Sequence, residues 1–162
     1  MWVRTASKRD IAGISKLLGV VWHDTYDGIY GSGKVAEITR DWHNQSALTK
    51  QLNQPGSEFL VADDGQAMAG MAYARQIDAQ QVKLSQLYVL PSSQGQGVGK
   101  LLLDEIEACF FEAREFVLEV EEKNTGAIAF YEKHGFVKTG NTDNCGAENS
   151  AIPALIYTKI RT

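Results

Sequence analysis

A six-residue run, Gln94-Gly95-Gln96-Gly97-Val98-Gly99, constrains this chain more than any other stretch. It lies between an apolar segment, Leu87-Tyr88-Val89-Leu90-Pro91, and an amphipathic one, Lys100-Leu101-Leu102-Leu103-Asp104-Glu105-Ile106. That order reads as strand, glycine turn, helix. Glycine lets the backbone turn sharply and keeps a Cβ out of a ligand's way. The first turn of a helix offers N–H groups without intrahelical partners, at the positive end of its dipole. The combination is an anion site, and phosphate is the usual anion.

Two common phosphate loops fail on spacing. A G-x-x-x-x-G-K-[ST] loop ending at Gly99-Lys100 requires Gly at position 94 and a hydroxyl at 101, where the chain has Gln94 and Leu101. The dinucleotide fingerprint G-x-G-x-x-G beginning at Gly95 requires a third glycine where Lys100 stands. The spacing that fits is Q/R-x-x-G-x-G/A, met by Gln94, Gly97 and Gly99. A second segment runs from Asn124 through Ala127, Phe130 and Tyr131 to Gly135-Phe136, in the pattern N-x-x-A-x-x-x-Y-x-x-x-G-F. Together these segments resemble the GNAT superfamily of acyl-CoA-dependent acyltransferases. The resemblance covers about Glu58 to Thr158. It is looser at Trp22-x-x-Thr25-Tyr26-x-Gly28, which is similar to an acceptor-side segment of some members.

The resemblance implies a mixed α/β domain spanning residues 1–162. Its twisted, mostly antiparallel sheet would have about seven strands and about four flanking helices, with the fourth and fifth strands parallel and splayed. It implies acetyl-CoA as the acetyl donor and a primary amine, on a small molecule or a peptide, as the acceptor. Transfer would be direct, in a ternary complex. Gln94, Gly95, Gln96, Gly97, Val98, Gly99 and Lys100 would hold the pyrophosphate. The backbone of Leu87, Tyr88 and Val89 would meet the pantetheine arm, with Asn124, Ala127 and Phe130 beside it. Tyr131 would protonate the departing thiolate. Ala127, Phe130, Tyr131 and His134 share one helical face at i, i+3, i+4 and i+7. Trp22, Tyr26 and Tyr30 would wall the acceptor, since aromatic faces attract an ammonium. The alternatives are transfer of another short acyl group and a non-catalytic acyl-CoA-binding module. The second is motivated by a departure from the family: Lys83-Leu84-Ser85-Gln86-Leu87 carries no carboxylate where many members have Glu. A water chain ending on Ser85, Gln86 or Glu119 could take the amine proton, or an acceptor with a lower amine pKa would need little help. The resemblance also admits a homodimer.

The remaining segments follow from periodicity and turn chemistry. Trp2 to Thr5 reads as a strand, and Ser7 with Asp10 as a capping box. Ile11, Ile14, Leu18, Val21 and Trp22 recur at helical spacing. Asp24 to Gly33 reads as a loop, and Lys34 to Asn53 as one second helix stopped by Pro55-Gly56. Strands are expected around Phe59–Ala62, Met68–Arg75, Val82–Leu90, Phe116–Val120, Phe136–Thr139 and Pro153–Ile160. Turns fall at Asp64-Gly65 and Gln80-Gln81, and a polar loop at Gly140–Ser150. The small residues Ala69, Gly70, Ala72 and Ala74 predict close packing, and Asn124 and Gly135 predict the two ends of a helix.

Charge and composition exclude several classes. A net charge of −4 gives no footing for nucleic acid. No apolar run approaches the length of a membrane span, and the start lacks a signal-peptide core, so a cytoplasmic address is expected. Cys109 and Cys145 read as separate thiols rather than a disulfide. His23, His43 and His134 lack metal-ligand spacing, so no metal is expected.

Overall fold

The computed structural model describes residues 1–145 and 150–161, so part of the expected polar loop lies outside the described residues. The elements follow in the order β1 (Trp2–Thr5), α1 (Ile11–Tyr30), α2 (Ser32–Trp42), α3 (Gln45–Leu52), β2 (Ser57–Asp63), β3 (Met68–Gln76), β4 (Gln81–Val89), α4 (Val98–Cys109), β5 (Glu115–Glu121), α5 (Thr125–Lys133), β6 (Val137–Thr142) and β7 (Ala154–Ile160). The strands form one seven-stranded sheet in the order β1-β2-β3-β4-β5-β7-β6. β4 and β5 pair in parallel, in the register Gln81↔Glu115, Val82↔Phe116 and Lys83↔Val117.

The chain folds as two compact units. One comprises Met1–Ala74 with Gln86–Cys109, the other Arg75–Ser85 with Phe110–Thr162. The core of the first is built from Ile11, Ile14, Leu18 and Val21 of α1, Leu48 of α3, Phe59 and Val61 of β2, and Met71 and Tyr73 of β3. Arg4 ties its first strand down, donating to Asp10 at 2.8 Å and to Asp63 at 3.0 Å. Asp10 also accepts from the Ser7 N–H and hydroxyl, at 2.8 and 3.1 Å. The Arg4 hydrogen bond, above all, holds the Asp10 carboxyl well below its usual range. In the second unit Phe116, Leu118, Val120, Phe136 and Tyr157 are buried. Arg161 donates to the carbonyls of Phe110 and Ala113 and lies over the Phe116 ring at 5.1 Å.

Two expectations for the first half are corrected. The segment after Asp24 is not a loop: α1 continues through Tyr30. Gly28 costs an exposed helix about 1 kcal/mol, but Tyr26 and Tyr30 sit one turn apart with their rings 6.1 Å from each other, and Tyr26 packs on Trp22 at 4.6 Å. The stop is Gly31, at φ +85°. The expected second helix is two helices, giving five α-helices among the described residues. Asn44 makes the break: its side-chain amide donates to the Arg40 carbonyl of α2 at 2.8 Å, while its carbonyl accepts the Ala47 N–H of α3 at 2.8 Å. One side chain closes one helix and caps the next.

The packing of β3 follows the small-residue expectation. A Cβ built on Gly70 would stand 2.8 Å from the Tyr88 carbonyl oxygen and 3.1 Å from a Leu102 methyl. No larger residue fits without moving β4.

Candidate functional site

In the first unit, the glycine loop follows β4 after a short 3-10 turn at Pro91–Ser93. Gly95 and Gly97 have φ of +76° and +83°, which only glycine adopts without strain, and nothing stands within 4 Å of either Cβ position. Gln94, Gly95, Gln96 and Gly97 are exposed, whereas Val98 plugs into the core. The Leu101 N–H bonds to the Gly97 carbonyl at 3.0 Å. The N–H groups of Val98, Gly99 and Lys100 therefore lie in the first turn of α4, without intrahelical acceptors. An open loop with outward N–H groups at a helix start fits a pyrophosphate. The two glutamine amides turn back instead. Gln94 donates to the Val89 carbonyl and Gln96 to that of Ser92, each at 3.2 Å, so both hold the shape of the loop. Lys100 pairs with Asp104 on the exposed face of α4, at 2.5 Å.

Leu87, Tyr88 and Val89 are half-buried. Tyr88 joins an aromatic cluster centred on Trp22. The Trp22 ring lies 4.6 Å from Tyr26, 5.4 Å from His43, 5.9 Å from Trp42 and 6.4 Å from Tyr88. Trp22, Tyr26 and His43 are buried, while Tyr30, Trp42 and Tyr88 reach partway to solvent. Trp42 and His43 were not among the expected acceptor residues. Their only sequence signal is the aromatic pair just before Asn44, at the helix break. Beside the cluster, Gln51 of α3 donates to the Gln86 side-chain carbonyl at 2.9 Å, so Gln86 is engaged. Two polar atoms within the cluster, Trp22 Nε1 and His43 Nδ1, are buried without a hydrogen-bond partner.

Burial pushes the His43 imidazole down to about 4, so it is neutral at pH 7. In the unfolded chain it returns to about 6.5. Between pH 6.5 and 4 the unfolded chain then binds more protons than the folded one, and stability falls as pH drops through that window. The shift corresponds to about 3 kcal/mol when fully developed. Denaturant unfolding at pH 7.5 and 4.5 should show most of this loss, and His43→Phe should remove it. An equally steep pH dependence in His43→Phe would assign the loss to other groups. The Asp10 contribution fades only at lower pH, below the usual carboxylate range.

In the second unit, Asn124 caps α5 by accepting the Ala127 N–H at 3.2 Å. Of the expected face, Tyr131 is buried and Ala127, Phe130 and His134 are half-buried, as is Ile128, whereas Thr125, Gly126, Ala129, Glu132 and Lys133 are exposed. The face expected from spacing is the less exposed one. Tyr131 is buried, with its ring edge-on to Phe130 at 5.3 Å and to Phe136 at 5.5 Å. Gly135, at φ +92°, ends the helix as expected. On the neighbouring strands, Lys83 Nζ lies 3.1 Å from Glu119 Oε1. Ser85 is exposed. The Cys145 thiol is pushed up to about 11, first by burial and then by Glu119.

Residues 21–136 match the sequence profile of the Acetyltransferase (GNAT) family. The chain belongs to this family. It is thus an acetyltransferase, and the acetyl donor of GNAT enzymes is acetyl-CoA. A spermidine N(1)-acetyltransferase of Thermoplasma acidophilum is 27% identical over 149 residues, 87% of this chain and 90% of that protein. The peptidyl-lysine N-acetyltransferase YjaB of Salmonella typhimurium is 39% identical, but over 57 residues, 35% of this chain and 37% of that protein. The crystal structure of a PaiA N-acetyltransferase from Thermoplasma acidophilum, in complex with coenzyme A, superimposes with a TM-score of 0.87. It covers 98% of both chains at 23% identity, which speaks for a shared GNAT fold. Among the described residues, no helix is long and apolar enough to cross a membrane, and no group of three or more His, Cys, Asp or Glu could hold a metal.

Proposed function

We propose that this chain, acting as one functional domain in the cytoplasm, moves an acetyl group from acetyl-CoA directly to a primary amine while both are bound. The observation that carries this reading is the loop at Gly95–Gly99. Its two positive-φ glycines and three N–H groups without helical acceptors come one short turn, Pro91–Ser93, after the Leu87–Val89 strand. Acetyl-CoA supplies the acetyl group as an activated thioester. The loop backbone and Lys100 hold its phosphates. The backbone of Leu87, Tyr88 and Val89 takes the pantetheine amides, and Asn124, Ala127 and Phe130 flank the arm. Tyr131 gives its hydroxyl proton to the departing sulfur. Neither the Ser85 hydroxyl nor the Gln86 amide is a base at neutral pH, so Glu119 is the carboxylate that takes the amine proton through water.

Trp22, Tyr26 and Tyr30, joined by Trp42 and Tyr88, form the acceptor wall in this reading. Trp22 and Tyr26 support from within, and the three partly exposed rings meet the amine. The relatives named for spermidine and for peptidyl-lysine make an aliphatic primary amine the first acceptor to try.

Incubating the protein with acetyl-CoA and spermidine, a lysyl peptide, a peptide with a free N-terminus and an aminoglycoside, while following free thiol, tests this. Release above the acceptor-free background is expected for at least one aliphatic amine. Acetyl-CoA binding by calorimetry without thiol release from any amine would leave a binding module instead. Faster turnover with propionyl- or succinyl-CoA would reassign the donor.

A further inference from the structure

We infer that Lys83 positions the Glu119 carboxylate for proton transfer. The inference rests on the reading above, in which Glu119 takes the amine proton. The parallel ladder between β4 and β5 runs from Gln81↔Glu115 to Lys83↔Val117. Side chains two residues apart on a strand share a face, so Glu119 projects on the same side as Val117, one step beyond the last rung. Lys83 reaches forward from that rung, placing Nζ 3.1 Å from Glu119 Oε1. The ion pair therefore continues the connection between the strands just past that rung. The two residues are 36 positions apart in sequence, and their side chains are only 30% and 21% exposed. Water screens such a pair less than one on an open surface.

A glutamate has three rotatable side-chain bonds. To accept a proton from one direction it must be held in one arrangement, and it must stay ionised until the proton arrives. A cation at hydrogen-bond distance serves both needs. Glu121 lies two residues on along β5, with its carboxylate accepting the Lys123 N–H at 2.6 Å. The Cys145 thiol is raised first by burial and then by Glu119, is lowered by Lys83, and is raised further by Glu121. Opposite Glu119 on β7 stands the apolar Ile156. In the transfer, an amine N–H bond breaks and an O–H bond forms on the intervening water. That water passes a proton to the Glu119 carboxylate. Lys83 keeps its charge throughout and exchanges no proton.

The test compares Lys83→Met, Lys83→Arg and Glu119→Gln with the unaltered protein. Spermidine or the lysyl peptide serves as acceptor, whichever turns over. Lys83→Met should lower kcat about tenfold, a loss of positioning, with the KM for acetyl-CoA unchanged. Lys83→Arg should restore kcat. A Lys83→Met protein with lowered Tm but an unaltered kcat would make the pair purely structural. If Glu119→Gln is slow while Lys83→Met runs at full speed, the role of Lys83 alone falls. If Glu119→Gln keeps full kcat, the assignment of Glu119 falls, and that of Lys83 with it.

Discussion

Acetyl-CoA should bind the Gly97→Glu protein about 10²-fold more weakly than the unaltered one, a loss of about 3 kcal/mol. The site for the side chain is open, with nothing within 4 Å of the Cβ position, so the substitution does not disturb the core. Two effects remain. A φ of +83° strains any residue with a Cβ by about 1–2 kcal/mol. If the loop keeps its shape, that strain is equal in the free and bound protein and cancels from the affinity. The second effect does not cancel: a carboxylate now stands beside the N–H groups that are to receive the pyrophosphate, and like charges repel. Gly97→Ala separates the two, because it carries the strain without the charge and should bind nearly as well as the parent. Calorimetry on both variants, each shown to be folded by circular dichroism, decides the matter. Unchanged binding in a folded Gly97→Glu protein would remove the phosphate from this loop.

Tyr131→Phe should lower kcat about 10²-fold, the low end for a general acid. The ring is buried against Phe130 and Phe136, and phenylalanine keeps those contacts. Losing one buried hydroxyl costs about 1 kcal/mol, so Tm should fall by only a few degrees. Acetyl-CoA affinity should be unaffected, since an interaction made only in the transition state is invisible in ground-state binding. The leaving thiol's own pKa of about 8.5 bounds the effect, because its thiolate already departs tolerably. Full kcat in Tyr131→Phe at every pH would reduce this residue to packing.

The features legible in the sequence are those that depend on neighbours along the chain. The spacing of Gln94, Gly97 and Gly99 encodes a turn feeding a helix, and Asn124 with Gly135 marks the ends of α5. The less exposed face of α5 follows from 3.6-residue periodicity. The errors arise where distant residues override local preference. Gly28 and a run of tyrosines look like a loop until Tyr26 is packed on Trp22. Asn44 resembles any polar helix residue until its two ends are seen bonded to Arg40 and Ala47. The wider aromatic cluster was out of reach for the same reason, since Trp42 and Tyr88 meet Trp22 only through the tertiary fold. Lys83 and Glu119 depend on the register of two parallel strands with a helix between them in sequence, and nothing local sets that register.

Gly70 bears on how genetic lesions in this enzyme should be interpreted. A single added methyl would press within 2.8 Å of the Tyr88 carbonyl, so the strand to yield would be β4 and not β3 alone. A variant isolated there would show a kinetic phenotype transmitted through backbone displacement, from a residue with no side chain to offer the reaction. Mapping function by loss of activity would mark position 70 as catalytic, when its contribution is the space it leaves empty.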